Sequence, residues 1–137
     1  MAYEFIDHTA DVMFQATAST IPELFLDCAT ALNESIHGEV NILEQKEQKL
    51  KLEADSLEEL LYKFLEEFIF LLDSEDLIFN KVSELKIDEN SFILTATLLG
   101  DHAKNYHFTS DVKAVTFSNL KISEDNGEFK TKVTLDV

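Results

Sequence analysis

The stretch VMFQATASTIPELFLDCA, residues 12–29, changes its apolar period partway along. Apolar and polar residues alternate over 12–18, which is the pattern of a half-buried β-strand. From Thr20 onward the apolar residues recur at helical spacing as far as Ile36. The sequence therefore predicts a strand that leads directly into an amphipathic helix.

Capping boxes mark the start of two predicted helices. In the first, Thr20 is followed three residues later by Glu23, and Gly38 is expected to end the helix. In the second, Ser56 is followed by Glu59 and then by a wide apolar stripe with acidic residues outside it. Both helices are expected to lie with one face on a sheet.

The remaining segments are predicted to be strands joined by turns, and no run of βαβ units is present. We therefore expect an α+β fold, a two-layer sandwich of two amphipathic helices against mainly antiparallel β-sheet, in a single domain over 1–137. Besides 12–18, the predicted strands are 3–6, the two ends of 39–54, 77–88, 91–99, 111–117, 120–122 and 129–137, the last preceded by an Asn-Gly hairpin turn.

Charge is the strongest feature of the composition. The 137 residues include 27 Asp plus Glu against 11 Lys plus Arg, a formal net charge of −16. Such a chain is repelled by nucleic acid and by anionic membranes, so any role in nucleic-acid metabolism requires a basic protein partner or a bound cation. The plain alternative is that most of the carboxylates serve solubility.

Cysteine content and hydropathy predict a cytoplasmic protein. The single cysteine, Cys28, allows no internal disulfide and lies on the apolar stripe of the first helix, where a packed, inert thiol is expected. No signal peptide is recognised, and the longest apolar run, 68–72, is too short to span a membrane.

Most motifs of enzyme chemistry are absent from the sequence. With 3 Gly in the whole chain, a glycine-rich phosphate cradle is excluded. The four histidines are not spaced as a helical zinc pair. No nucleophile with a partner base is recognised.

Carboxylates near the two ends of the chain are the candidates for chemistry. If the first turn and the last strand are neighbours, Asp11, Asp136 and the Val137 carboxylate supply the oxygen ligands that hard cations prefer. Alternatively, Asp11 caps a turn and Asp136 is an exposed residue of a fraying end. Lys113 is either an edge lysine that discourages aggregation or a cation that pairs with these carboxylates or with a partner.

Several segments together resemble the archease family along essentially the whole chain. The pairing of HTADV with VKAVT at this spacing, in a short chain ending in DV, carries the resemblance. The matching segments are DHTADV (7–12), SLEELLYKFLEEFIFLLDSEDLIF (56–79), LLGD (98–101), DVKAVTF (111–117) and LDV (135–137).

The resemblance implies a non-catalytic activator of the GTP-dependent tRNA-splicing ligase, which joins a 2′,3′-cyclic phosphate or 3′-phosphate to a 5′-hydroxyl. Archeases promote guanylylation of the active-site histidine of the ligase and thereby permit multiple turnovers. Mapped by motif, Asp11, Asp136 and Val137 hold a divalent cation, Ca²⁺ foremost, with Mg²⁺ or Mn²⁺ as alternatives. Lys113 is the matching motif lysine, and His8 lies next to the site without being a ligand.

Three other functions remain open at this stage. They are a chaperone-like protein-interaction module acting on other nucleic-acid enzymes, a metal-dependent hydrolase that uses the same carboxylates, and an interaction module whose carboxylates only keep it soluble. Three observations discriminate among them: whether Asp11→Ala still activates the ligase, whether the protein suppresses aggregation of unrelated proteins, and whether the protein alone turns over a substrate.

Overall fold

The computed structural model describes residues 2–6 and 11–137 and confirms an α+β fold. Every strand pairing that it describes is antiparallel, within a five-stranded sheet ordered β1-β2-β8-β6, with β7 also on β8, and a three-stranded sheet ordered β3-β5-β4. The elements are β1 (Ala2–Ile6), β2 (Val12–Ala18), α1 (Ile21–His37), β3 (Lys46–Glu53), α2 (Leu57–Glu75), β4 (Leu77–Asp88), β5 (Ile93–His102), a short 3₁₀ turn (Ala103–Asn105), β6 (Ala114–Thr116), β7 (Ile122–Asp125) and β8 (Glu128–Asp136).

Side-chain caps begin both helices where the sequence predicts them. The Thr20 hydroxyl accepts the Glu23 amide at 3.2 Å, and the Ser56 hydroxyl accepts the Glu59 amide at 3.1 Å. Gly38, with φ of 62°, ends α1, because this backbone conformation suits a residue without Cβ. These local signals fix the helix boundaries independently of the sheets.

The core lies between the two helices and the two sheets. Phe25 of α1 stacks on Phe64 of α2 with ring centroids 6.0 Å apart. Phe68 makes edge contacts with Phe64 at 5.3 Å and with Phe79 of β4 at 5.9 Å. Cys28 is fully buried beside this cluster, and burial raises the pKa of its thiol, which confirms a packed and unreactive cysteine.

Three predicted strands differ from the structure. The first strand predicted within 39–54 is wrong, because residues 38–45 contain no strand. Side chains, instead of a neighbouring strand, form hydrogen bonds with backbone groups of this segment. The Tyr106 hydroxyl accepts the Leu43 amide at 3.0 Å, and Asn80 donates to the Ile42 carbonyl at 2.8 Å.

The strands predicted over 111–117 and 120–122 are also shorter or displaced. Only Ala114–Thr116 pairs as β6, and the strand ends in a turn in which the Leu120 amide donates to the Phe117 carbonyl at 3.0 Å. Asn119 adopts φ of 65° in that turn, which interrupts the extended chain. The next strand begins only at Ile122.

Candidate functional site

The register of β2 against β8 brings the two ends of the chain together. Val12 lies opposite Leu135, and the ladder continues inward from this pair through Met13 and Thr134. Asp11 is the residue before the first pair and Asp136 the residue after it. The predicted meeting of these two stretches is therefore confirmed for the backbone.

Alternation along β8 decides which face of the sheet carries Asp136. Val133 and Leu135 are fully buried against the core, whereas Lys132 and Asp136 are exposed. Successive side chains of a strand point to opposite faces, so Asp136 lies on the outer face. Asp11 is partly exposed at the same end of the sheet.

The other side of β8 is covered by β6. Ala114 lies opposite Asp136, and the Lys113 amide donates to the Asp136 carbonyl at 2.8 Å. Lys113 thus joins this end of the sheet through its main chain, and its side chain is exposed. The structure brings three of the predicted residues, Asp11, Lys113 and Asp136, to the two sides of one strand end. His8 lies outside the described residues.

Two carboxylates lie at this end of the sheet. Asp11 precedes and Asp136 follows the Val12–Leu135 pair. Carboxylate oxygens are the ligands of hard cations such as Ca²⁺ and Mg²⁺. Over 2–6 and 11–137, however, no group of three His, Cys, Asp or Glu side chains is arranged to hold a metal. A third ligand would have to come from elsewhere, such as the Val137 carboxylate.

A shallow groove of about 310 Å³ lies on the outer face beside the carboxylates. It crosses β2, β8 and β6 one step further along the ladder, where Met13, Thr134 and Thr116 are aligned. Lys132 is the charged residue of its lining, and the other lining residues are polar except for Met13. Its residues are Met13, Thr116, Ser118, Asn119, Lys132 and Thr134.

Two glutamates of α2 bind the strands beside β8, Glu66 near the candidate site and Glu58 further from it, and the sequence does not predict either contact. Glu66 accepts the Val115 amide of β6 at 2.7 Å, and Glu58 accepts the Ile122 amide of β7 at 3.1 Å. Both were interpreted as part of a solvated helix face. No local signal distinguishes them, because their partners lie 49 and 64 residues away.

A buried carboxylate, that of Asp101, supports the fold. Asp101 is 6% exposed and accepts the Tyr106 hydroxyl at 2.6 Å and the His102 amide at 2.8 Å. These bonds, the one from Tyr106 foremost, lower the pKa of Asp101. Since Tyr106 also binds the Leu43 amide, this cluster anchors the irregular segment 38–45.

The fold defines the class of this protein: it is an acidic α+β protein of two helices and antiparallel sheets. Asp11 and Asp136 lie at one end of its β2–β8 ladder. The chain matches the model of the archease protein family over residues 3–137 and belongs to that family. It is 34% identical to protein archease of Methanothermobacter thermautotrophicus, with 98% of each chain covered. It is 29% identical to protein archease of Methanosarcina mazei, covering 98% of this chain and 95% of the relative.

Solved structures agree with the family and the fold. The solution structure of Methanobacterium thermoautotrophicum protein 1598 superposes with a TM-score of 0.81 at 32% identity, covering 98% of both chains. A Thermotoga maritima crystal structure, described as an archease and possible chaperone, gives a TM-score of 0.66 at 23% identity over 96% of this chain and 94% of that chain, and it supports the fold alone. Within the described part of this chain, no helix is long and apolar enough to cross a membrane.

Proposed function

We propose that this protein activates a GTP-dependent RNA-splicing ligase that joins 2′,3′-cyclic phosphate or 3′-phosphate ends to 5′-hydroxyl ends in tRNA splicing or RNA repair. It promotes guanylylation of the ligase and permits multiple turnovers without catalysing the ligation itself. The observation that supports this proposal most directly is the register that brings Asp11 and Asp136 together beside Lys113. These are the residues that the family resemblance assigns to activation.

Carboxylate oxygens are the donors that a hard divalent cation prefers. Asp11, Asp136 and the carboxylate of Val137 would hold the cation, which is Ca²⁺ foremost and Mg²⁺ or Mn²⁺ as alternatives. When bound, it would supply positive charge close to the phosphates of the nucleotide in the ligase. β2 and β8 would orient that charge, because Asp11 and Asp136 flank the outermost pair of their ladder. His8 and Lys113 flank the site in this proposal.

Charge also decides how the protein would act. A net charge of −16 disfavours direct binding to RNA and favours a partner with cationic surfaces. A ligase that binds RNA carries such surfaces. We therefore expect the protein to act in the cytoplasm by contacting the ligase rather than the RNA or a membrane.

Product formed per ligase molecule tests the proposal. Limiting ligase is incubated with GTP, Mn²⁺ and an RNA bearing cyclic-phosphate and 5′-hydroxyl ends, with and without this protein. We expect product to stop near one per ligase without it and to rise well beyond that with it. Asp11→Ala should lose activation, whereas Asp125→Ala, which removes the same charge from the far β7–β8 turn, should not.

The terminal carboxylate needs a separate test. One glycine added after Val137 displaces the carboxylate by roughly one residue, about 3.5 Å, and keeps every side chain. Activation should fall towards that of Asp11→Ala. Full activation by the extended protein would remove Val137 from the site and leave the two aspartates in it.

A chaperone-like role is the second candidate, since the Thermotoga maritima relative is described as a possible chaperone. This role predicts that the protein suppresses aggregation of unrelated proteins and that Asp11→Ala remains active in that assay. No effect of the wild-type protein on ligase turnover, together with such suppression, would favour this second function.

A further inference from the structure

Aromatic side chains form an exposed surface along the outside of α2. Phe70 is 56% exposed and Phe117, which directly follows β6, is 46% exposed. Tyr62, two helical turns before Phe70, contacts Phe117 with ring centroids 5.1 Å apart. Large apolar side chains grouped on a surface mark interaction sites more often than single ones do.

Two contacts fix the direction of this surface. The Tyr62–Phe117 contact and the Glu66–Val115 hydrogen bond show that α2 and β6 run antiparallel side by side. Four helical residues advance about 6 Å, and two residues of a strand advance about 6.6 Å, so the two elements stay in step. The next step beyond Glu66 and Val115 places Phe70 level with Lys113.

The surface ends level with the candidate site along the strand. Lys113 donates its amide to the Asp136 carbonyl, so Phe70 lies level with this end of β8, whereas the Asp136 side chain lies on the outer face of the sheet. We name Tyr62, Phe70 and Phe117 the aromatic band. It begins at the turn after β6 and follows α2.

The helix that carries Tyr62 and Phe70 is acidic. Its six carboxylates stand against one ammonium group on the helix, that of Lys63, and Lys113 adds one exposed cation level with Phe70. Lys63 is engaged by the Glu53 carbonyl at 2.7 Å and by Glu59 at 3.7 Å. A complementary surface is therefore one that presents an apolar residue surrounded by Lys or Arg. The carboxylates are Glu58, Glu59, Glu66, Glu67, Asp73 and Glu75.

We propose that the aromatic band is the surface on which the ligase docks, through an apolar side chain of the ligase flanked by cationic residues. This inference rests on the proposed function and adds the docking surface to it. Docking here requires no RNA contact. A second copy of this chain, RNA and an anionic membrane all fit the band less well, because each carries the same sign of charge.

Direct binding of the ligase tests the band. The dissociation constant is measured by calorimetry for the wild type, for Phe70→Ser with Phe117→Ser, and for Leu43→Ser. Leu43 is a matched control, since it is 52% exposed but lies in the segment before β3. We expect the double variant to bind at least about tenfold more weakly, as loss of aromatic interface residues does, and the control to bind within about twofold of the wild type.

Further readouts separate the docking surface from the proposed function. Asp11→Ala should bind the ligase normally while failing to activate it. Urea unfolding and far-UV circular dichroism should show that the double variant remains folded. Sedimentation of the free protein should show a monomer for both wild type and variant.

The contrary outcomes are distinct. If the wild type binds and activates and the double variant binds equally well, the aromatic band is wrong and the proposed function stands. The band is equally wrong if Leu43→Ser weakens binding as much as the double variant, or if the double variant loses self-association instead. If the wild type neither binds nor activates the ligase, the proposed function fails and this inference fails with it.

Discussion

Gly100 lies where two strands approach too closely for a side chain. An added Cβ would meet the Ile78 carbonyl oxygen at 1.9 Å and the Phe79 Cα at 2.7 Å, both of them backbone atoms. Backbone relaxes little in a packed sheet, so we expect Gly100→Ala to lower the free energy of unfolding by roughly 2–4 kcal/mol. Urea unfolding measures the loss.

Gly38 provides the control for this prediction. It has φ of 62° and nothing within 4 Å of an added Cβ. Gly38→Ala therefore carries only the conformational cost, about 1–3 kcal/mol. Equal losses at both positions would show that the short approach at Gly100 relaxes and that conformation alone matters.

The hydrogen bond that Tyr106 donates to Asp101 predicts that the free energy of unfolding depends on pH. It lowers the folded-state pKa of Asp101 below the ordinary value of 3.8, so its stabilisation is present above that value and is lost as pH falls through the folded pKa. Tyr106→Phe should lower stability at neutral pH, and the difference from wild type should shrink below pH 3.8. Urea unfolding across pH measures this difference. A difference that stays constant down to full acid unfolding would contradict the linkage.

Among the elements, the short strand β6 depends on a helix for one of its hydrogen bonds. Val115 is only 3% exposed, and Glu66 accepts its amide at 2.7 Å. Removing the carboxylate leaves a buried amide without a partner, so Glu66→Ala should cost about 1–3 kcal/mol and speed hydrogen exchange at Val115. Glu75→Ala, at the exposed end of α2, should cost nothing, since a negative charge there opposes the helix dipole. Unchanged exchange at Val115 would show that Glu66 does not hold β6.

A comparison of α2 with β6 shows which parts of the fold the sequence predicts. Helix α2 was predicted because its start and its periodicity are local: Ser56 binds an amide three residues away. Strand β6 was predicted too long, because Asn119 and the distant Glu66 set its length and pairing. Strand β8 was predicted within one residue of its observed bounds, because an Asn-Gly turn precedes it.

The features of the candidate site were likewise predicted only in part. A resemblance carried by two short motifs identified Asp11 and Asp136, and these residues flank Val12 and Leu135, the outermost pair of the β2–β8 ladder. The exposure of Phe70 and the position of Phe117 beside α2 were not predicted. Apolar periodicity alone does not show which edge of a helical stripe remains uncovered once both sheets are in place.

For the whole molecule, the net charge of −16 sets the response to ions. Repulsion among unpaired carboxylates destabilises the compact state, and salt screens it over about 10 Å at 0.1 M ionic strength. We expect the melting temperature to rise with NaCl. The rise should be shared by Asp11→Ala, since removing one of many charges changes the screening little.

A comparison of CaCl₂ with NaCl distinguishes ionic screening from binding of a cation at the candidate site. At matched ionic strength CaCl₂ and NaCl screen alike, but a cation held by Asp11 and Asp136 adds the stabilisation of a ligand that binds only the folded state, about 2.7 kcal/mol at a hundred times its Kd. The melting temperature should therefore be higher in CaCl₂, and Asp11→Ala should lose this increment while keeping the response to NaCl. Asp125→Ala removes the same charge from the β7–β8 turn and should keep both responses. If the increment survives in Asp11→Ala, calcium is held elsewhere on the acidic surface, and the paired carboxylates must act without a resident cation.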